Sequence, residues 1–411
     1  MKQKNKIASN TIMLLIFQIS KILFPFVTLP YLTRVLTTTS YGCVSYVKTI
    51  MSYMQILVDF GFLLSATKEI ILSKDNHEKM QYVIGDTLIA RVILGIVGLV
   101  IAIILAFSLP LLKDNVLFTI LSYIVVFESI FLMDFLFRGL EKMHVITIRF
   151  IIMKVISTIL TFVFIKSDAD ILLIPIFDII SSLIAILLIL FEMKKMNLKC
   201  SFTNIKKTLN SIKISFIYFL SNIASTSFNA LSTIIIGIVL DATNVAYWGI
   251  CIQIIGSIQA CYNAISDGVY PEMIKTKNIN IIKKTFKIFI PLIIIGCIAA
   301  YFLAPWGFNL LGGAKYAPAV STFRILVPTL LIGFMSIMLG WPTLGAIDKQ
   351  KDVTISTIVS IAFNFAALLI LILSNNFTLR MVAIIRVITE IVLFSLRYIF
   401  CLKNKNEFRR N

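Results

Sequence analysis

The stretch Met193–Ser211, MKKMNLKCSFTNIKKTLNS, is the longest polar interruption of the chain and lies near its middle. Six basic residues fall between Lys194 and Lys213, and on either side stand apolar runs joined by short loops. Outward from this basic hinge, apolar windows predict six spans before it: 11–33, 43–66, 81–108, 115–137, 144–166 and 170–192. Six more follow at 212–240, 244–267, 285–306, 319–341, 353–374 and 378–402. Crossing a hydrocarbon core of about 30 Å takes about 20 residues. The 411 residues are 59% hydrophobic and 14% charged, against roughly 25% charged in an ordinary globular domain, and the mean hydropathy is +0.95.

Charge tests the count, because Lys and Arg near helix ends collect on the cytoplasmic side. With the N-terminus inside, cytoplasmic flanks hold 25 of the 38 basic residues, while the outside loops hold four: Arg34, Lys113, Lys166 and Lys315. A miscounted helix would exchange every later loop and erase that asymmetry. The expectation is an all-α integral membrane protein with twelve transmembrane helices in two six-helix lobes, 1–200 and 201–411, and both termini cytoplasmic. The net charge of +18 then reflects topology, with anionic headgroups of the lipid bilayer as its partner, and nucleic-acid binding need not be invoked. The start, MKQKNK before a long apolar run without a small-x-small cleavage site, reads as an uncleaved first span. The halves echo each other: LTTTSYG precedes a helix and Asp59-Phe60-Gly61, and LDATNVAYWG precedes a helix and Asp267-Gly268. Parallel repeats of this kind are one layout used for alternating access.

Enzyme readings fare poorly. The outside loops have a dozen residues or fewer, and no Walker motif is present. His77 and His144 lack a carboxylate constellation, and the six cysteines are scattered without metal-ligand or disulfide spacing. What stands out is charge inside the spans, which costs roughly 2.5–3.5 kcal/mol per residue on insertion scales and therefore faces a bundle interior or a wet cavity. Arg386 and Glu390 are spaced for an i, i+4 pair. Arg380 and Arg397 lie near span ends and are expected to snorkel to headgroups. Asp134 is one turn before Arg138, and Asp59 and Asp267 are placed to cap a following turn. Lys21, Arg91, Arg149, Lys154 and Arg324 remain as mid-span cations, with Lys48 beside them. A cationic cavity fits an anionic cargo, since ammonium and guanidinium groups are well satisfied by phosphate or carboxylate oxygens. The competing expectation is that Asp86, Glu128 and Asp178 neutralise them internally.

Three ordered motifs carry a resemblance: FPFVTLPYLTRVLTTTSYG (Phe24–Gly42), VDFGFLLSATKEI (Val58–Ile70) and DFLFRGLEKM (Asp134–Met143). Together they resemble the Wzx-type polysaccharide (O-antigen or capsule) flippases of the multidrug/oligosaccharidyl-lipid/polysaccharide exporter superfamily. Departures are Thr37, Thr38 and Thr39 where the family often has Gly-Pro-acidic, Lys68 for Arg, and Phe135 and Arg138 for Trp and Gln. Arg138 strengthens the expectation of a local pair with Asp134. The resemblance implies a MATE-like fold and a carrier that moves undecaprenyl-pyrophosphate-linked oligosaccharide from the cytoplasmic to the periplasmic leaflet of the bacterial inner membrane. It implies no cofactor beyond a coupling proton or Na⁺, for which Asp59, Asp86 and Asp178 are candidates. A polymerase and a chain-length regulator of the polysaccharide pathway are the protein partners it suggests. The expected head-group contacts are Lys21, Lys48, Arg91, Arg149, Lys154 and Arg324. One alternative is a multidrug extruder of the same superfamily, whose cavity should have acids left over. Another is a non-transporting partner of the assembly enzymes.

Overall fold

The computed structural model describes residues 2–408, with side chains described from residue 9 onward except at 221, 224, 225, 228 and 229. Among these residues the chain is helical throughout, with no β-strand. It forms two compact units, Met1–Ile223 and Ala224–Asn411. The first contains α1 (Lys2–Val35), α2 (Thr38–Asp59), α3 (Phe62–Leu72), α4 (His77–Ser108) and α5 (Pro110–Lys113). It continues with α6 (Val116–Glu128), α7 (Asp134–Gly139), α8 (Met143–Phe164), α9 (Leu173–Lys195) and the first half of α10 (Ile205–Val239). The second contains the rest of α10, α11 (Ala242–Thr276), α12 (Ile279–Gly312), α13 (Ala319–Leu326), α14 (Pro328–Leu339), α15 (Gln350–Leu373) and α16 (Leu379–Lys403).

The division falls beyond the 200/201 boundary expected from sequence, because the start of α10 packs on the first unit. The hydroxyls of Ser65 and Ser215 are 2.6 Å apart, and the Phe60 ring stacks on Phe219 at 4.3 Å.

Ten segments among the described residues are long and apolar enough to cross a membrane: Ser9–Val35, Thr38–Leu72, His77–Ser108, Val116–Gly139, Met143–Phe164, Asp168–Lys195, Ala242–Thr276, Ile279–Gly312, Ala319–Ile347 and Gln350–Leu373. They match ten of the expected spans. The other two coincide with α10, whose described apolar part Ala230–Val239 is short, and with α16, which carries Arg380, Arg386, Glu390 and Arg397. Helix starts follow ordinary capping chemistry. Thr37, the first of the three threonines, caps α2 by accepting from the Ser40 amide at 3.2 Å. Asp241 caps α11 through the Asn244 amide at 2.7 Å, so the two LxxT-type turns of the internal echo are both helix starts. The echo ends there: α2 breaks at Asp59, whereas α11 runs unbroken through Asp267 and Gly268.

Two of the sequence motifs build the core at one end of the first unit. Phe60 turns left-handed (φ 41°) and Gly61 follows at φ 80°, which splits the second span into α2 and α3. A Cβ on Gly61 would lie 2.4 Å from that of Tyr218, so both the backbone angle and the close approach require glycine. The fourth span is also broken, with α6 tightening into a 3₁₀ turn at Ser129–Leu132 before α7. Gly139 admits Ile70 so closely that a Cβ there would lie 2.5 Å from Ile70 Cγ2, and the Thr67 hydroxyl donates to the Phe135 carbonyl at 3.2 Å. Phe62, Ile70, Phe135, Leu136 and Phe137 are buried together. In lipid this packing is stabilised by dispersion and interhelical hydrogen bonds, because tails are as apolar as the side chains. The second unit has its own core around Phe334, with Tyr262, Phe286 and Phe289 against that ring.

Candidate functional site

The site is assembled by helix register. Helices α1 and α8 of the first unit run side by side with a constant offset: Asn10 meets Met143, Met13 meets Thr147, Phe17 meets Phe150 and Tyr31 meets Ile165. That register places Lys21 on α1 level with Lys154 on α8. The far ends of α1, α2, α8 and α9 are tied together. The Tyr31 hydroxyl donates to the Ile165 carbonyl at 2.7 Å, and the Thr37 amide donates to Asp168 Oδ1 at 2.8 Å. Lys48 follows the start of α2 by ten residues and Lys154 precedes the end of α8 by ten. At 1.5 Å per residue both lie about 15 Å in from that end, half the depth of a core of about 30 Å.

Asp178 on α9 joins them. Its Oδ1 is 3.7 Å from Lys154 Nζ, with side-chain exposures of 24% for the acid and 35% for the lysine. The Ser157 hydroxyl donates to the same oxygen at 2.6 Å. Lys48, exposed, is near enough to act through its charge on both Asp178 and Lys154. Lys21 is exposed, and its ammonium lies over the Phe17 ring at 5.3 Å. Three ammonium groups thus share one level of the first unit with one carboxylate. The cluster is net positive and only partly covered by protein, and each lysine has three donors.

The chain is matched over residues 7–277 by the family model described as polysaccharide biosynthesis protein. It belongs to the polysaccharide biosynthesis protein family. Two curated relatives carry the name "Putative O-antigen transporter". One, from Escherichia coli K12, is 25% identical over 98% of both chains. The other, from Shigella dysenteriae, is 26% identical over 75% of this chain and 78% of its own. Among solved structures, the lipid II flippase MurJ in an inward closed conformation superposes with a TM-score of 0.74 at 14% identity, covering 96% of this chain and 87% of that one. An inward-facing multidrug resistance MATE family transporter of the MOP superfamily gives 0.65 at 15% identity, over 92% and 98%. These likenesses establish the fold.

Elsewhere in this family member the structure redistributes the expected contacts. Arg91 is buried and paired: its Nη2 lies 2.6 Å from Asp59 Oδ1, and its Nη1 donates to the Ile130 carbonyl at 3.0 Å. Gln55 bridges Asp59 Oδ2 and the Ser129 hydroxyl at 3.0 and 2.9 Å. Asp59 therefore does not cap the next turn. With Arg91 it closes the junction where the second and fourth spans break, supplying partners for carbonyls that the 3₁₀ turn leaves free. Arg149 is likewise buried and ion-paired with Asp134, so the expected Asp134–Arg138 pair is replaced by one between α7 and α8. Asp86 is buried and accepts from the Thr203 amide at 2.9 Å, fastening the basic hinge to α4. Of the three acids offered as internal neutralisers, only Asp178 meets the lysines; Glu128 is buried with its Oε2 unpartnered.

In the second unit Arg324 is five residues into α13 and therefore near a helix end. It donates to the Tyr301 carbonyl at 3.0 Å and lies over that ring at 4.9 Å. Arg386 and Glu390 form the expected pair at 3.3 Å, both buried. Arg397 turns inward, away from headgroups: it donates to the Ser336 carbonyl at 2.8 Å, the Thr357 hydroxyl at 3.2 Å and the Ser356 hydroxyl at 3.4 Å. Its guanidinium sits against Gly340, where a Cβ would come within 2.9 Å, at the one-turn π-helix Gly340–Leu344. Sequence reasoning missed Ser157 and the inward course of Arg397, because hydroxyl partners leave no charge pattern to read.

Proposed function

We propose that this protein is a flippase that carries an undecaprenyl-pyrophosphate-linked oligosaccharide, an O-antigen or capsule repeat unit, from the cytoplasmic to the periplasmic leaflet of the inner membrane by alternating access. The observation that supports it is the mid-depth cluster of Lys48, Lys154 and Asp178, with Lys21 level with Lys154 on the neighbouring helix α1. A pyrophosphate cannot enter hydrocarbon unaided, and ammonium groups held at membrane depth in an accessible space are suited to its oxygens. In this reading α10 and α16 also cross, making twelve spans with both termini cytoplasmic. Arg91 and Arg149 serve the fold, and Arg324 is a contact near the outer helix end. The sign of the cluster separates the flippase from a multidrug extruder of the same fold, since an organic cation would be repelled by it. A proton or Na⁺ as coupling ion is assigned to Asp178, whose pair with Lys154 is long at 3.7 Å, whereas Asp59 is clamped by Arg91 at 2.6 Å and Asp86 holds the Thr203 amide. A polymerase and a chain-length regulator remain the partners this function would take.

Lys48→Gln, Lys154→Gln and the matching Arg replacements test the reading in a surface-polysaccharide assay at matched protein level. Both Gln variants are expected to lose most export, with Arg restoring part of it. Normal export from both Gln variants would refute the cationic site, and transport persisting in proteoliposomes without either ion gradient would refute the coupling.

A further inference from the structure

Three intramembrane ion pairs among the described residues of the first unit are built differently. The Arg91–Asp59 and Arg149–Asp134 pairs are hydrogen-bonded, and each buries its arginine to 6% exposure or less. Lys154–Asp178 is long, at 3.7 Å, and open, beyond the range of a hydrogen bond. The short contact of Asp178 is with Ser157, one turn below Lys154 on the same helix, at 2.6 Å. Ser157 is itself buried. The carboxylate is thus tethered within the field of two ammonium groups while standing 3.7 Å from that of Lys154.

We propose that Asp178 is a built-in competitor for the anionic cargo: a fixed counter-ion that holds the lysine site together when it is empty and weakens its grip on a phosphate-bearing head group so that the cargo can leave. The inference rests on the reading of the lysine cluster as the head-group site. A carrier must release what it binds, and three ammonium groups closing on a pyrophosphate without opposition would hold it. A carboxylate sharing the site repels each incoming phosphate oxygen, and a medium of low dielectric constant strengthens that repulsion. Ser157 is the positioning residue. By holding Oδ1 it keeps Asp178 from closing fully onto Lys154, which would block the site.

The two residues therefore have opposite effects on affinity, a pattern that a merely structural role would not produce. The test is binding of farnesyl pyrophosphate to the full chain in nanodiscs of zwitterionic lipid, paired with export in cells. Asp178→Asn is expected to bind about tenfold more tightly while exporting several-fold less. Ser157→Ala, which frees the carboxylate to reach Lys154, is expected to bind several-fold more weakly. Lys154→Gln is the control for the underlying reading. If the wild type does not bind, or if neither Lys154→Gln nor Lys48→Gln weakens its binding, the head-group site itself is refuted. If the lysine variants weaken binding and Asp178→Asn binds no more tightly than the wild type, the competitor role is overturned while the site stands. Should Asp178→Asn fail to fold, Ser157→Ala decides: binding equal to or tighter than the wild type overturns the proposal.

Discussion

Arg91→Gln separates a structural arginine from a cargo-binding one. The substitution removes the 2.6 Å charge-assisted bond to Asp59 and the 3.0 Å bond to the Ile130 carbonyl. A hydrogen bond to a charged group contributes about 1.5–3 kcal/mol, and an acceptor left buried without a donor costs about 1–3 kcal/mol. Asp59 is 39% exposed, so water can replace part of what it loses, and the about 3–5 kcal/mol of a fully buried broken pair is an upper bound. The expected loss of stability is about 2–4 kcal/mol. Pairing Arg91→Gln with Asp59→Asn in a double-mutant cycle should return a coupling of about 1–2 kcal/mol. The measurement is the free energy of unfolding in mixed micelles, run beside export at matched protein level. The clamp predicts that export falls only as far as folded protein does. If Arg91→Gln abolishes export with stability changed by less than about 0.5 kcal/mol, Arg91 acts on the cargo and the structural assignment is wrong.

Gly61→Ala should destabilise the first unit by about 2–4 kcal/mol in the same unfolding measurement, combining left-handed strain with the overlap at Tyr218. Gly139→Ala should cost about 1–3 kcal/mol, and combined with Ile70→Ala, which removes the Cγ2 methyl beside the new Cβ, the loss should be smaller than the sum of the two single losses; simple additivity would place the strain elsewhere. Arg397→Lys keeps the charge but cannot span Ser336, Thr357 and Ser356 together, so about 1–3 kcal/mol should be lost; an unchanged stability would return Arg397 to the headgroups. In a cysteine-free background, Lys166→Cys and Lys315→Cys should react with an impermeant maleimide from outside intact cells and Lys349→Cys should not, and the reverse pattern would invert the topology.

The lysine cluster shows how far the residues could be read in order. Lys21, Lys48, Lys154 and Asp178 all stand out in the sequence, because a charge within an apolar run is conspicuous and costly. Arg91 and Arg149 stand out equally, and nothing in their spacing separates them from the lysines. Their partners Asp59 and Asp134 lie at the breaks of the second and fourth spans, on other helices. The expected Asp134–Arg138 pair and the snorkelling of Arg397 were inferences from proximity along one helix. Both give way to partners across helices, since a neighbouring helix can bring a polar group closer than the next turn does.

Membrane character, the family and ten of the expected crossing segments were determined by the sequence alone, because hydropathy, flanking charge and motif order are properties of the chain itself. The tertiary structure decided which charges are clamps and which stand open. It set the offset between α1 and α8 that levels Lys21 with Lys154, tied Asp178 to Ser157, and carried the first unit into α10. The physical reason is that an intramembrane charge is defined by what neutralises it, and in a helical bundle that partner comes from whichever helix packs alongside.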